Sequence, residues 1–234
     1  MREQDARTVS LIGEDGLQKL QNSTVAVIGL GGVGSVAAEA LARSGIGRLY
    51  LYDKDTVAES NRNRQLQAVQ STVGKSKAEV LADRIADIDP AVQTVVQDGF
   101  VTPQTDLPLK DFDFVVDAVD NVTLKLHLAQ ICTEKNVPLI SVTGTGNKLD
   151  PSRLQISDLY ETNTCPLCRV MRNELKKRGV SALTVVWSDE KPLVPDENSG
   201  TRENGRPNPG SMMFVPASAG LLAASYVVRK LLRK

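Results

Sequence analysis

Residues 24–55 read TVAVIGLGGVGSVAAEALARSGIGRLYLYDKD, and this stretch decides the fold. An apolar strand over 25–30 runs into a glycine turn, then an amphipathic helix over Ser35–Ser44, a second strand over Arg48–Tyr52 and an acidic end. Gly29, Gly31 and Gly34 are spaced G-x-G-x-x-G, with Gly32 between them. Glycine there permits a tight turn and lets backbone N–H groups approach a phosphate, which the positive end of the following helix also favours. Sites of this kind place an acid about 20 residues further on, against a ribose hydroxyl, and Asp53 occupies that place. The stretch therefore predicts a nucleotide site without naming the nucleotide.

The same alternation continues outward. Thr94–Gln97, Phe112–Asp117 and Leu139–Thr143 read as strands, and Lys75–Ile88 and Val122–Asn136 as helices between strands. Short apolar runs of this kind suit a parallel sheet covered on both faces. The predicted fold is α/β: a doubly wound, mainly parallel, Rossmann-like sheet with helices on both faces and ligands at the carboxyl ends of its strands. After residue 145 the pattern loosens into a mixed-strand extension. Strands are predicted over Leu154–Ser157 and Thr184–Trp187, with a charged helix over Pro166–Arg178 between them. The polar run 189–210 is crowded with Pro, Gly and Asn, and a loop of that length is usually functional or disordered.

Composition bounds the rest. The 234 residues are 41% hydrophobic and 24% charged, which fits one globular domain over 1–234. Lys+Arg and Asp+Glu balance at 28 each, so any nucleic-acid surface must be local. The 4% aromatic content disfavours a base-stacking platform. Cys132, Cys165 and Cys168 make no disulfide framework, and MREQDARTVS does not read as a signal peptide, so a cytoplasmic protein is expected. Ser211–Val228 is apolar but interrupted by Pro216 and Gly220, and a membrane span needs about 20 apolar residues. A core strand followed by a C-terminal helix is predicted there, and a peripheral membrane contact through the basic tail stays open.

A nicotinamide dehydrogenase is the default meaning of the glycine spacing, and four further groups argue against it. Asp53-Lys54-Asp55 doubles the acid at the second strand's end. Asn61-Arg62-Asn63-Arg64-Gln65 is dense in amide and guanidinium donors. Lys77 starts a predicted helix and can aim an ammonium at phosphates. Asp117-Ala118-Val119-Asp120-Asn121 ends the fourth strand and offers Asp120 to a metal. Mg²⁺ typically takes one or two carboxylates plus phosphate oxygens and water. A dinucleotide's pyrophosphate does not require Arg64, Lys77 and a metal carboxylate together, whereas a triphosphate being cleaved does. Taken singly, Asn61–Gln65 reads as a solvated loop, Lys77 as a surface residue and Asn121 as a helix cap. Their joint order is what argues for a site.

In that order the motifs resemble the adenylating superfamily of ubiquitin-activating enzymes, ThiF and MoeB, over about 7–145. The resemblance implies ATP and Mg²⁺. It implies Asp53 on the ATP ribose, Asn61 and Arg64 on ATP, Lys77 on the phosphates and Asp120 on Mg²⁺. It further implies Asp55 in the ATP site, Gln65 and Asn121 as supporting residues, and Arg7 as the candidate that reaches the partner subunit's ATP in a homodimer. Members that activate a ubiquitin-like sulfur carrier typically have two C-x-x-C pairs for zinc. This chain has Cys165-Pro-Leu-Cys168 and no later cysteine, so zinc is not expected and the pair reads as incidental.

The second half, through Thr143-Gly144-Thr145-Gly146, Leu149-Asp150-Pro151, CPLCRVMRNELKKRGV and VVWSDEKP, is similar to a narrower branch, the tRNA threonylcarbamoyladenosine dehydratases. That resemblance implies ATP-dependent cyclisation of threonylcarbamoyladenosine in tRNA. The alternatives are activation of a sulfur-carrier protein and a scaffold for a cysteine-desulfurase and sulfur-acceptor system. Arg169, Arg172 and Lys176 recur at i, i+3 and i+7, which predicts one basic helix face for a tRNA backbone or a merely solvated one.

Overall fold

The computed structural model describes residues 2–99, 101–194, 196 and 209–233. Short β-branched and apolar runs form the strands β1 (Thr24–Ile28), β2 (Arg48–Tyr52), β3 (Gln93–Gln97), β4 (Phe114–Asp117), β5 (Leu139–Val142), β6 (Leu154–Asp158) and β7 (Thr184–Ser188). They make one seven-stranded sheet in the order β3-β2-β1-β4-β5-β7-β6. All neighbours pair in parallel except β6 and β7, which are antiparallel. The doubly wound expectation and its mixed extension are both present.

Alternation along β1 shows why both faces need helices. Val25 and Val27 point into a cluster with Leu41 of α2 (Gly34–Arg43), Leu81 and Ile85 of α3 (Lys77–Ile88) and Val227. Ala26 and Ile28 point the other way, against Leu124 and Leu128 of α4 (Val122–Glu134). A third cluster packs Met171 and Leu175 of α5 (Pro166–Lys177) on Val185 and Trp187 of β7.

Element ends lie within about two residues of their predicted places, the usual uncertainty of a helix or strand boundary. One element goes unpredicted and one prediction fails. A helix that the sequence pattern did not reveal, α1 (Ala6–Gln21), covers the N-terminal segment, and Gly13 interrupts it with a φ of 75°. The strand expected within Ser211–Val228 is absent among the described residues. Instead α6 (Phe214–Arg233) is one helix that buries Val215, Ala219, Ala223, Val227 and Leu231 along a single stripe. A Cβ at Gly220 would run into the backbone of Val33 and Ala37, so α6 packs closely on α2. By length and composition alone α6 could cross a membrane, but 44% of its apolar window is buried in the protein. Most of the 189–210 run lies outside the described residues.

Candidate nucleotide site

β1 stops at Ile28 because Gly29 turns the chain with a φ of 88°, where a Cβ would meet the Ala118 carbonyl at 2.8 Å. The turn thus lies at the switch point between β1 and β4, where the connections leave in opposite directions and ligands of such sheets bind. A Cβ at Gly34 would collide with the Gly29 carbonyl, so α2 can begin directly under the turn. At Gly31 a Cβ would meet only Gln65 Nε2 at 3.8 Å, which leaves open space above the helix N-terminus. At Gly32 it would press on the Arg64 carbonyl at 3.1 Å.

Asp53 joins the two strand ends. Its Oδ2 accepts from the Leu30 N–H at 2.6 Å and its Oδ1 from the Asp55 N–H at 2.9 Å. Lys77 is buried, contrary to a surface reading. Its Nζ donates to Asp55 Oδ2 at 2.9 Å and its backbone N–H to the Asp55 carbonyl. Ser76 caps α3 and fixes where that ammonium starts. Asn61 is buried and accepts from the Ala58 N–H, so it holds its own loop. The Arg64 guanidinium is partly exposed and donates to the Ser60 carbonyl and Asn63 Oδ1. Gln65 and Gln67 are both buried, and Oε1 of each lacks a partner among the described residues. Gln67 Nε2 donates to the Leu30 carbonyl at 2.6 Å. Sequence reasoning missed Gln67, although it stands two residues after Gln65 in the same polar run.

Asp120 is exposed just beyond β4. Asn121 caps α4, its Oδ1 accepting from the Leu124 N–H at 3.0 Å, so the bland reading of that residue describes a real contact. Beneath them is a charge pair that no sequence pattern signals. Lys125 Nζ, 1% exposed, donates to both oxygens of buried Asp117 at 3.1 Å and to the Val142 carbonyl at 2.8 Å. Ser141 Oγ donates to Asp117 Oδ2 at 2.6 Å. The ends of β4 and β5 are thereby tied together under Asp120.

The structure brings together Gly29, Gly31, Gly32, Gly34, Asp53, Asp55, Asn61, Arg64, Gln65 and Lys77, with Asp120 and Asn121 on the adjoining turn. It does not bring Arg7 to them: that residue is exposed on α1. The predicted basic face is also divided. Arg169 and Lys176 are exposed, but Arg172 Nη1 donates to the Thr162 carbonyl and Oγ1, and Lys177 pairs with Glu174 at 2.7 Å. A pocket of about 480 Å³ opens elsewhere, at the amino ends of β4, β5 and β7, near Phe114, Leu139, Thr184 and Lys230. Volume and chemistry do not coincide here, and the convergent polar groups at the carboxyl ends mark the site.

Among the described residues no group of three or more His, Cys, Asp or Glu could cage a metal. A lone exposed carboxylate such as Asp120 fits a cation that keeps phosphate oxygens and water as its other ligands.

Comparison with known proteins gives the same direction. The ThiF family matches residues 4–234. A tRNA threonylcarbamoyladenosine dehydratase of Bacillus subtilis is 44% identical over 244 residues, covering 100% of this chain and 96% of the relative. The Escherichia coli protein of the same name is 35% identical over 255 residues, covering 100% and 95%. The crystal structure of the Escherichia coli tRNA N6-threonylcarbamoyladenosine dehydratase in complex with ATP superposes with a TM-score of 0.88 at 35% identity, covering 99% of this chain and 95% of that one.

Proposed function

This chain belongs to the ThiF family, and from that premise we propose that it is an ATP-dependent tRNA threonylcarbamoyladenosine dehydratase. It adenylates the threonine carboxylate of the modified nucleoside and lets the neighbouring carbamoyl group close the ring. The observation that carries the reading is the glycine turn at the β1–β4 switch point, rimmed by Asp53, Arg64, Lys77 and Asp120.

Each residue has a role that its position supports. The turn and the α2 N-terminus present N–H groups to the phosphates. Asp53 accepts from a ribose hydroxyl while its other contacts hold the turn in place. The orphaned Gln65 Oε1 supplies an acceptor beside Gly31, and Asn61 keeps that loop in register. Arg64 and Lys77 neutralise charge as the carboxylate attacks the α-phosphorus and pyrophosphate leaves, with Asp55 orienting Lys77. Asp120 would hold Mg²⁺, whose charge would offset that of the phosphates, and Asn121 fixes the turn that carries Asp120. Adenylation converts the carboxylate oxygen into a good leaving group. Ring closure then expels AMP, and one water is lost from the nucleoside overall. Intramolecular closures reach effective molarities of about 10⁵ M or more, so no covalent nucleophile is required.

The finer parts of the reading are a homodimer in which exposed Arg7 reaches the partner's ATP, and a tRNA contact through Arg169 and Lys176. Acting on tRNA fits a cytoplasmic protein. The basic end of α6 leaves room for a peripheral membrane contact, and a cysteine-desulfurase and sulfur-acceptor system remains a candidate partner. The test is AMP formation. It is expected with tRNA bearing threonylcarbamoyladenosine and not with unmodified tRNA. AMP formed only on addition of a ubiquitin-like carrier would replace this reading with the sulfur-carrier one.

A further inference from the structure

Gln67 has no part in the motif order, yet it is 2% exposed and its two amide atoms meet different surroundings. Nε2 donates to the Leu30 carbonyl at 2.6 Å, while Oε1 is buried without a partner among the described residues. A carbonyl can only accept, so the N–H side of the amide must face Leu30 and the oxygen must face away. The backbone beneath is fixed as well, because Thr72 Oγ1 donates to the Gln67 carbonyl at 2.8 Å and accepts from the Val69 N–H at 2.9 Å. Burying an amide with an orphaned oxygen is costly. A methionine would fill the same space without that cost, so the bond to Leu30 is what distinguishes glutamine here.

Leu30 is thereby held from both sides. Its N–H donates to Asp53 Oδ2 at 2.6 Å, and its carbonyl, which begins the Leu30–Gly31 peptide, accepts from Gln67. A trans peptide points its N–H opposite to its C=O, and no cis bond occurs among the described residues. The Gly31 N–H is therefore turned away from Gln67, and it meets no acceptor among the described residues. The Gly31 carbonyl is committed, accepting from the Ser35 N–H at 3.1 Å and from Ser35 Oγ at 2.7 Å in the first turn of α2. Gly31 is left with an N–H that the protein does not use, at a turn that opens above the helix N-terminus.

We propose that Gln67 is a positioning residue for phosphate binding: it orients the Leu30–Gly31 peptide so that the Gly31 N–H donates to a phosphate oxygen of ATP. The inference deepens the adenylating function proposed above and rests on it for the identity of the ligand. Gln67 itself touches no ligand in this role. Its donation sets the peptide before the nucleotide arrives, so the N–H needs no reorientation on binding. Without Gln67 the Leu30–Gly31 peptide can rotate, because glycine tolerates the change in φ that rotation brings. The N–H then loses its aim, and one charge-assisted hydrogen bond to phosphate weakens. The loss falls on the phosphates rather than on adenine or ribose.

The test compares the full-length wild type, Gln67→Met and Gln67→His by titration calorimetry with ATP and with adenosine, and by AMP formation with tRNA bearing threonylcarbamoyladenosine. Gln67→Met removes the donor at nearly constant volume. It is expected to raise the Kd for ATP about tenfold, the scale of one hydrogen bond to a charged group, and to leave the Kd for adenosine unchanged. The KM for ATP should rise in step while kcat stays within about twofold of the wild type. Gln67→His keeps a ring N–H that can donate to the Leu30 carbonyl, and it should recover most of the ATP affinity. Unchanged ATP affinity in Gln67→Met overturns the inference. So does an equal loss for ATP and adenosine, which a merely loosened site would give. The calorimetry needs no tRNA, so failure of the dehydratase reading would appear as ATP binding without AMP formation, and failure of this inference as ATP binding that Gln67→Met leaves intact.

Discussion

Two glycine turns follow parallel strands at the same edge of this sheet, and they use the missing side chain for opposite ends. After β1, glycine makes room for something outside the chain: Gly31 faces open space, and the charged rim of Asp53, Arg64 and Asp120 is at least partly exposed. After β5, glycine makes room for the protein itself, since the volume beside Gly144 is filled by the Cys165 sulfur and the Lys148 ammonium. Identical residue types at equivalent strand ends therefore do not report a ligand. What surrounds the vacated Cβ does.

The buried Lys125–Asp117 pair joins the two turns, and removing it should have the largest effect. Taking away one partner of a buried pair costs about 3–5 kcal/mol because the other charge stays behind. Lys125→Met should lower stability by that amount in urea titration, and a decrease under about 1 kcal/mol would mean that the pair does not hold the strand ends. On the open turn, Asp120→Ala should reduce the rate of AMP formation by about 10²–10³-fold with the thermal midpoint retained, as expected when one charge-stabilising group is removed. Wild-type rates at saturating Mg²⁺ would contradict the metal assignment.

On the filled turn, Gly144→Ala should destabilise by about 1–3 kcal/mol through overpacking. Cys165→Ala in the same chain should return part of that, giving a coupling of about 0.5–3 kcal/mol in a double-mutant cycle. Additive effects would show that the sulfur does not occupy the Gly144 space. The smallest effect is expected outside both turns. Reversing Arg169 and Lys176 should weaken tRNA binding and lower its salt slope by about 0.7–0.9 for each phosphate the helix no longer neutralises. An unchanged slope would remove α5 from the tRNA surface.

The open turn was legible in sequence and the filled one was not, for a physical reason. Gly29, Asp53, Asn61, Arg64 and Lys77 lie on or beside one turn at the β1–β4 switch point and follow a family's motif order, so their spacing along the chain is readable. Lys125 meets Asp117 eight residues earlier and Val142 on another strand, a contact that only the folded sheet creates. Lys148 likewise finds Ser188 forty residues on. The basic stripe of α5 is less simple than its spacing: periodicity places Arg172 with Arg169, but Thr162 captures it. The start of α6 and the residues just before it read as a strand because Met212, Met213, Phe214 and Val215 are consecutive apolar residues, and short apolar runs do not distinguish strand from helix. α1 escapes notice in the sequence because Gly13 and Gly16 interrupt its apolar spacing.

The central claim is that the open turn activates a nucleoside carboxylate with ATP. Nucleoside mass spectrometry on tRNA bearing threonylcarbamoyladenosine, incubated with the protein, ATP and Mg²⁺, tests it most directly. The account predicts loss of one water from that nucleoside with one AMP formed for each ring closed. An unchanged nucleoside under conditions where the protein binds ATP would contradict it.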